Sequence, residues 1–165
     1  GSLTFLSIYF WMKRTFFQGP RNVLPNMTPQ IKDYKKDVVY LFQFPLLPGG
    51  KNSSPFCLKL EAYLQKNGIP YEVVKGDHYN KNPKQKLPAI EFNGEAMSDS
   101  TFIIQYLKTK FGDPDRTLSS SDAAITTAFQ RLIEDHLYYA IVYFRWIHSS
   151  SWPQWSVQAF RGVPA

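Results

Sequence analysis

Ser53-Ser54-Pro55-Phe56-Cys57 sets two hydroxyls and the chain's single thiol within five residues. Pro55 suits the first turn of a helix, where a missing N–H is harmless, and Ser54 before it suits the N-cap. A hydroxyl there has two uses: it satisfies the helix's orphan N–H groups, or it donates to a thiolate and lowers that thiol's pKa. Ser53 is a rival for the donor role. Cys57 stands three residues after Ser54, at the second position of a Cys-x-x-Cys spacing. With serine at the first position, dithiol exchange has no partner. A lone cysteine in an apolar helical stretch reads as a small core residue before it reads as a nucleophile.

Three other groupings invite chemistry. Ser98-Asp99-Ser100 precedes apolar positions at helical spacing (Phe102, Ile103, Tyr106, Leu107, Phe111), so it caps a helix, and that N-terminus attracts an anion. Leu87-Pro88 opens an apolar run. Glu134-Asp135-His136 is a dense polar cluster, but adjacent residues do not share a helical face and cannot jointly clasp a metal. A solvated or salt-bridging role is expected for it. His78 and His148 lack partners at ligand spacing and read as surface residues.

The elements that must carry these groups follow from the hydrophobic pattern. Val38–Phe44 is an apolar run suited to a strand covered on both faces. A Pro-, Gly- and Ser-rich loop leads to the helix at Pro55, which Gly68 ends. Tyr71–Val74 is a short second strand. A Lys-rich loop (75–86) follows, then Leu87–Phe92, the hairpin signal Asn93-Gly94, a return strand at Glu95–Met97, and the capped helix. Beyond a linker, Ile125, Phe129, Leu132, Ile133, Leu137, Ala140, Ile141 and Phe144 predict one long amphipathic helix to about Trp146. Tyr138, Tyr139, Tyr143 and Trp146 are expected to pack in a core or between domains. A further helix is predicted from Pro153, and too few residues follow it to cover so apolar a face, so exposed aromatics, a dimer partner or further sequence are expected.

The chain has 165 residues, room for one core and a little more. A hydrophobic share of 44% with 19% charged residues excludes whole-chain disorder. One cysteine excludes an internal disulfide framework or a Cys-rich zinc site. The net charge of +6 is uneven. Residues 1–37 hold six Lys/Arg against two Asp, whereas residues 113–165 hold four basic against five acidic side chains. No basic face interleaved with aromatics runs across the folded part, so nucleic acid is not an expected partner.

Leu3–Met12 is an uncharged apolar run ending in Tyr, Phe, Trp and Met, followed by Lys13-Arg14. It is too short to cross a bilayer, which takes about 20 residues. Aromatics and then a basic pair nonetheless match the cytosolic edge of a membrane anchor. A short packed tail or a signal-peptide relic are the other readings. Residues 18–37, with Gly19, Pro20, Pro25 and Pro29, read as a linker.

The order of elements with Leu87-Pro88 and Asp99-Ser100 resembles the thioredoxin-like N-terminal domain of glutathione transferases. Ser53–Leu64, Phe102-Ile103-Ile104 and Glu134-Asp135-His136 further resemble the failed axon connections and cadmium-responsive proteins, relatives of metaxins. The resemblance covers roughly residues 37–148. It implies an α/β fold, β-α-β then β-β-α on a mixed four-stranded sheet, followed by the first helices of an all-α transferase C-terminal domain. The expected organisation is an apolar segment and linker (1–36), the thioredoxin-like domain (37–112) and the start of a truncated helical domain (119–165).

The resemblance also implies a site. Leu87, before a cis-proline at Pro88, would pair its backbone with glutathione, and Asp99 and Ser100 would receive its γ-glutamyl end. For these two residues a capping role alone remains the other reading. Ser54 would activate the thiol, with Ser53 its rival. The tyrosine that transferases of this kind place near the end of the first strand has no match, because Gln43-Phe44-Pro45 stands there. No cofactor is implied, with glutathione as substrate or ligand. Two functions follow: a membrane-associated adaptor with weak or no catalysis on the cytoplasmic face, or a cytoplasmic glutathione-dependent transferase. A homodimer or protein partner is expected for either.

Overall fold

A computed structural model describes residues 28–46, 50, 52–74, 87–148 and 150. The apolar run at 3–12, the Lys-rich loop with His78, and the helix expected from Pro153 lie outside the described residues.

The first unit joins residues up to Phe44 with Ser54–Leu107. Strand β1 (Val39–Phe42) is buried throughout, as its unbroken apolar run requires. Helix α1 (Pro55–Lys66) starts at the Ser54 cap and ends at Asn67, before Gly68 turns the chain at φ +62°. Strand β2 (Tyr71–Val74) pairs parallel to β1, and β3 (Ala89–Phe92) pairs antiparallel on its other side. Asn93 and Gly94, both at positive φ, make the two-residue turn into β4 (Glu95–Ser98). Helix α2 (Ser100–Phe111) follows. The sheet order is β2-β1-β3-β4, a mixed four-stranded sheet.

The period-two pleat sorts the sheet's side chains. Val39, Leu41, Ile90, Phe92 and Met97 face α1 and α2 and pack with Leu60, Leu64, Ile103 and Leu107. Each fully buried Leu or Ile among them contributes about 1.5–3 kcal/mol of apolar burial. Tyr40, Phe42 and Ala89 form a smaller cluster on the opposite face, joined by Ile31, Val38, Val74 and Leu87. Ile31 comes from the segment that composition reads as linker. From Gln30 onward that segment is hydrogen-bonded to the sheet.

The second unit joins Pro45–Ser53 with the chain from Lys108. Leu46 and Asn52 close the loop through an antiparallel bridge. Lys108 meets Asp113 at 2.9 Å and also Asp115, which fixes the start of the connection to helix α3 (Ser120–Leu132). Ser119 caps α3: its Oγ accepts from the Asp122 N–H at 3.1 Å and donates to Oδ2 of the same residue at 2.7 Å. The long helix expected here runs without a break from Ser120 to Trp146 and carries one π-helical turn. Ile133–Leu137 is a π-helical turn, after which α4 runs Tyr138–Trp146. One wide turn leaves apolar spacing intact on either side of it, so periodicity carries no sign of the insertion.

Two members of the aromatic stripe expected to be packed are open, Tyr139 at 65% and Tyr143 at 54% exposed, and Tyr138 is half-buried. Ile125, Phe129, Leu132, Ile133 and Leu137 are exposed as well.

Candidate functional site

Strand register gathers the site. Phe42 lies opposite Ala89, and Ala89 opposite Ser98, so one row crosses three strands at one end of the sheet. Gln43 leaves that row, Pro88 enters it, and Asp99 follows it. The start of α1 joins the same end, because the Phe44 backbone N–H reaches the Cys57 thiol in the first turn. Residues 43, 54, 87–88 and 99–100, scattered over 58 positions of sequence, thus share one edge of the first unit.

The Leu87–Pro88 peptide is cis, as the resemblance implies. Pro88 is fully buried, and Leu87 packs against the Tyr40, Phe42 and Ala89 cluster. At the head of α2 the cap belongs to Asp99. Its Oδ1 accepts from the Thr101 N–H at 3.0 Å and its carbonyl accepts from the Ile103 N–H at 2.9 Å, with its backbone at φ +82°. Ser100 is the first helical residue and is buried. Capping therefore accounts for Asp99 and does not account for Ser100.

Ser54 caps α1, with its Oγ accepting from the Cys57 N–H at 3.4 Å. Ser53, the rival donor, lies in the second unit, where its carbonyl accepts from Arg145 Nη1 at 2.9 Å. Cys57 is wholly buried. Burial pushes its thiol above the ordinary 9.0; the Phe44 N–H and the Ser54 hydroxyl pull the other way, and the Glu61 carboxylate adds to the rise. A buried, protonated thiol is a poor nucleophile at neutral pH.

Two contributors escaped the sequence. Lys59 Nζ donates to Thr101 Oγ1 at 3.0 Å and so brings a cation from the second turn of α1 to the first turn of α2. Gln43 is 6% exposed, donates from Nε2 to Glu61 Oε2 at 3.2 Å, and has no hydrogen-bond partner for Oε1 among the described residues. Tyr71 extends this half-buried polar line, donating to Glu61 Oε1 at 3.3 Å. Lys59 is an ordinary surface residue by pattern, and only the meeting of two helices gives it a place here. Two helix N-termini, an ammonium and the rim beside a cis-proline make an end of the sheet suited to an anionic, peptide-like ligand.

In the second unit, Glu134 and Asp135 pair with Arg131, and Gln130 donates to Glu134 at 3.1 Å. The cluster is a solvated ion-pair network. Among the described residues, no group of three or more His, Cys, Asp or Glu side chains is placed to hold a metal. His148 stacks on Phe144 with ring centroids 5.4 Å apart.

Sheet order, the cis-proline rim and the capped second helix define a thioredoxin-like domain of the glutathione-transferase type. The chain belongs to the glutathione S-transferase N-terminal domain family, whose family model matches residues 55–151. It is 38% identical over 117 residues to Failed axon connections of Drosophila melanogaster, covering 68% of this chain and 27% of that protein. It is 41% identical over 105 residues to isoprene-epoxide–glutathione S-transferase of a Rhodococcus strain, covering 60% and 44%. Among solved structures, a diazinon-metabolizing glutathione S-transferase of the silkworm Bombyx mori superposes with a TM-score of 0.54 at 18% identity, covering 73% of this chain and 62% of that one. The chain spans less than half the length of either curated relative.

Proposed function

We propose that this chain is the glutathione-recognising part of a membrane-associated adaptor with weak or no transferase activity. The observation that carries the reading is the use of Ser54. Its oxygen is engaged at the cap of α1, bonded to the Cys57 N–H. Around it, the thiol of Cys57 is buried and held up in pKa, and the tyrosine that transferases of this kind place near the end of the first strand has no match in Gln43-Phe44-Pro45. Groups suited to binding thus gather at this end of the sheet, while the Ser54 hydroxyl that would activate a ligand thiol already caps α1 through its oxygen and faces the Cys57 thiol.

Glutathione would lie along the Leu87–Pro88 rim, with its γ-glutamyl end toward Asp99, Ser100 and the start of α2, its carboxylate at the helix N–H groups and its amino group at the Asp99 carboxylate. The Lys59 ammonium favours the same charge. Attachment to the cytoplasmic face of a membrane would come from residues 3–14; no helix among the described residues is long and apolar enough to cross one.

A second reading is a working glutathione-dependent enzyme with Ser54 as thiol activator. It is favoured by the 41% identity to an epoxide-conjugating glutathione transferase. Retention on immobilised glutathione and turnover of an epoxide together separate the two. The adaptor reading expects retention that Ser100→Ala weakens, with conjugation no faster than the protein-free reaction. Turnover abolished by Ser54→Ala would establish the enzyme instead, and an unretained parent protein would overturn both. Fractionation with residues 1–14 deleted tests the anchor, and unchanged membrane association would remove it.

A further inference from the structure

Glu91 is a charged side chain in the middle of β3, only 4% exposed, on the sheet face away from α1 and α2. A buried carboxylate persists only where hydrogen bonds replace its water. Here they come from outside the sheet: the Gln30 N–H donates to Oε1 at 2.8 Å and the Ile31 N–H to Oε2 at 2.9 Å. Two consecutive backbone donors converging on one carboxylate hold the chain at a defined bend.

The rest of the segment follows the sheet. The Lys35 N–H donates to the Tyr40 hydroxyl at 2.9 Å. The Asp37 N–H donates to Asn93 Oδ1 at 2.8 Å, and Asn93 Nδ2 returns a bond to Asp37 Oδ1 at 3.0 Å. The Tyr34 hydroxyl lies 3.4 Å from where a Cβ on Gly94 would sit. The strap is thus fastened at both ends and along its middle.

Its position ties it to the site. Glu91 and Ala89 are two residues apart on β3 and share a face. Ile31, placed by Glu91, packs on the Tyr40, Phe42 and Ala89 cluster, and so does Leu87. We propose that residues 30–37 are a strap latched by Glu91, and that its Ile31 buttresses the Leu87–Pro88 rim where an extended peptide would pair. Glu91 is then a positioning residue, acting on the rim through the strap. The functional consequence rests on the glutathione reading; the latch and the buttress do not.

The test uses the full chain and two variants. Glu91→Gln leaves one acceptor in place of two, and Ile31→Ala keeps the latch but removes the buttress. Hydrogen exchange reads the latch: amides 30 and 31 are protected in the parent and exchange about tenfold faster or more in Glu91→Gln, with little change in Ile31→Ala. Leu87 methyl signals read the buttress without any ligand and shift in both variants. Glutathione retention falls several-fold in both variants. Unprotected amides 30 and 31 in the parent, or Leu87 signals unmoved in Ile31→Ala, would overturn the proposal even where glutathione binds. Shifted Leu87 signals in a parent that ignores glutathione would uphold the strap and sink only the ligand. If Glu91→Gln does not fold, Gln30→Pro removes one donor to the same latch and carries the exchange measurement.

Discussion

Lys59 Nζ donates to Thr101 Oγ1 at 3.0 Å, linking the second turn of α1 to the first turn of α2. The two helices lie 34 residues apart at their closest ends in sequence. Their N-termini carry partial positive charge, and the ammonium adds to it where the sheet's binding end lies. Both features favour an anion at this end of the sheet, against the one carboxylate, Asp99, that caps α2.

Lys59→Met keeps most of the side chain's bulk and removes the charge and the bond. We expect glutathione affinity to fall about three- to tenfold, the loss of one charge-assisted contact. Thermal stability should fall by less than about 1 kcal/mol, because the pair is only partly buried. Lys59→Arg should retain most of the affinity. Calorimetric titration with thermal melts checks both, and unchanged binding in Lys59→Met would remove Lys59 from the site.

Ser54→Ala should cost about 1 kcal/mol through loss of the α1 cap, while Ser54→Asn or Ser54→Asp should restore it. Under the adaptor reading, glutathione binding follows stability and not the hydroxyl, so the Asn variant binds like the parent. A variant that is stable yet unable to support conjugation would point to donation by Ser54.

Cys57 sets an alkaline limit. Its folded pKa is raised above 9.0, so its stabilising contribution is complete below the unfolded value and is lost as pH rises through the folded one. Denaturant melts should be flat in this respect near pH 7 and fall above about pH 9, with a shallower fall in Cys57→Ala. At pH 7–8 the native thiol should react with a disulfide reagent far more slowly than the same thiol in denaturant.

Gly94→Ala tests the hairpin. Gly94 sits at φ +81°, in a conformation other residues adopt with strain, and a new Cβ would stand 3.4 Å from the Tyr34 hydroxyl. A loss of about 1–2 kcal/mol is expected. Asn93→Gly, also at positive φ, should keep the turn but release the Asp37 bonds to its side chain.

Much of the first unit was determined by the sequence itself. An unbroken apolar run makes a central strand, Ser54-Pro55 makes a helix start, and Asn93-Gly94 makes a tight turn, because each is a local consequence of backbone sterics and hydrogen bonding. The same locality made Ser54 legible as a cap and Cys57 as a buried core residue. Tertiary structure decided everything that depends on register and on contacts between distant elements. Only pairing of Phe42 with Ala89 and of Ala89 with Ser98 brings Gln43, Pro88 and Asp99 to one edge. Lys59 and Glu91 look like ordinary surface residues in sequence, because a charge acquires its role from what folds onto it. A Pro-containing stretch reads as linker until the sheet supplies Glu91 to hold it, and a π turn inside the long helix goes unread because the apolar period stays intact on either side. Sequence carries local geometry, while the partners of a polar group are set by long-range packing.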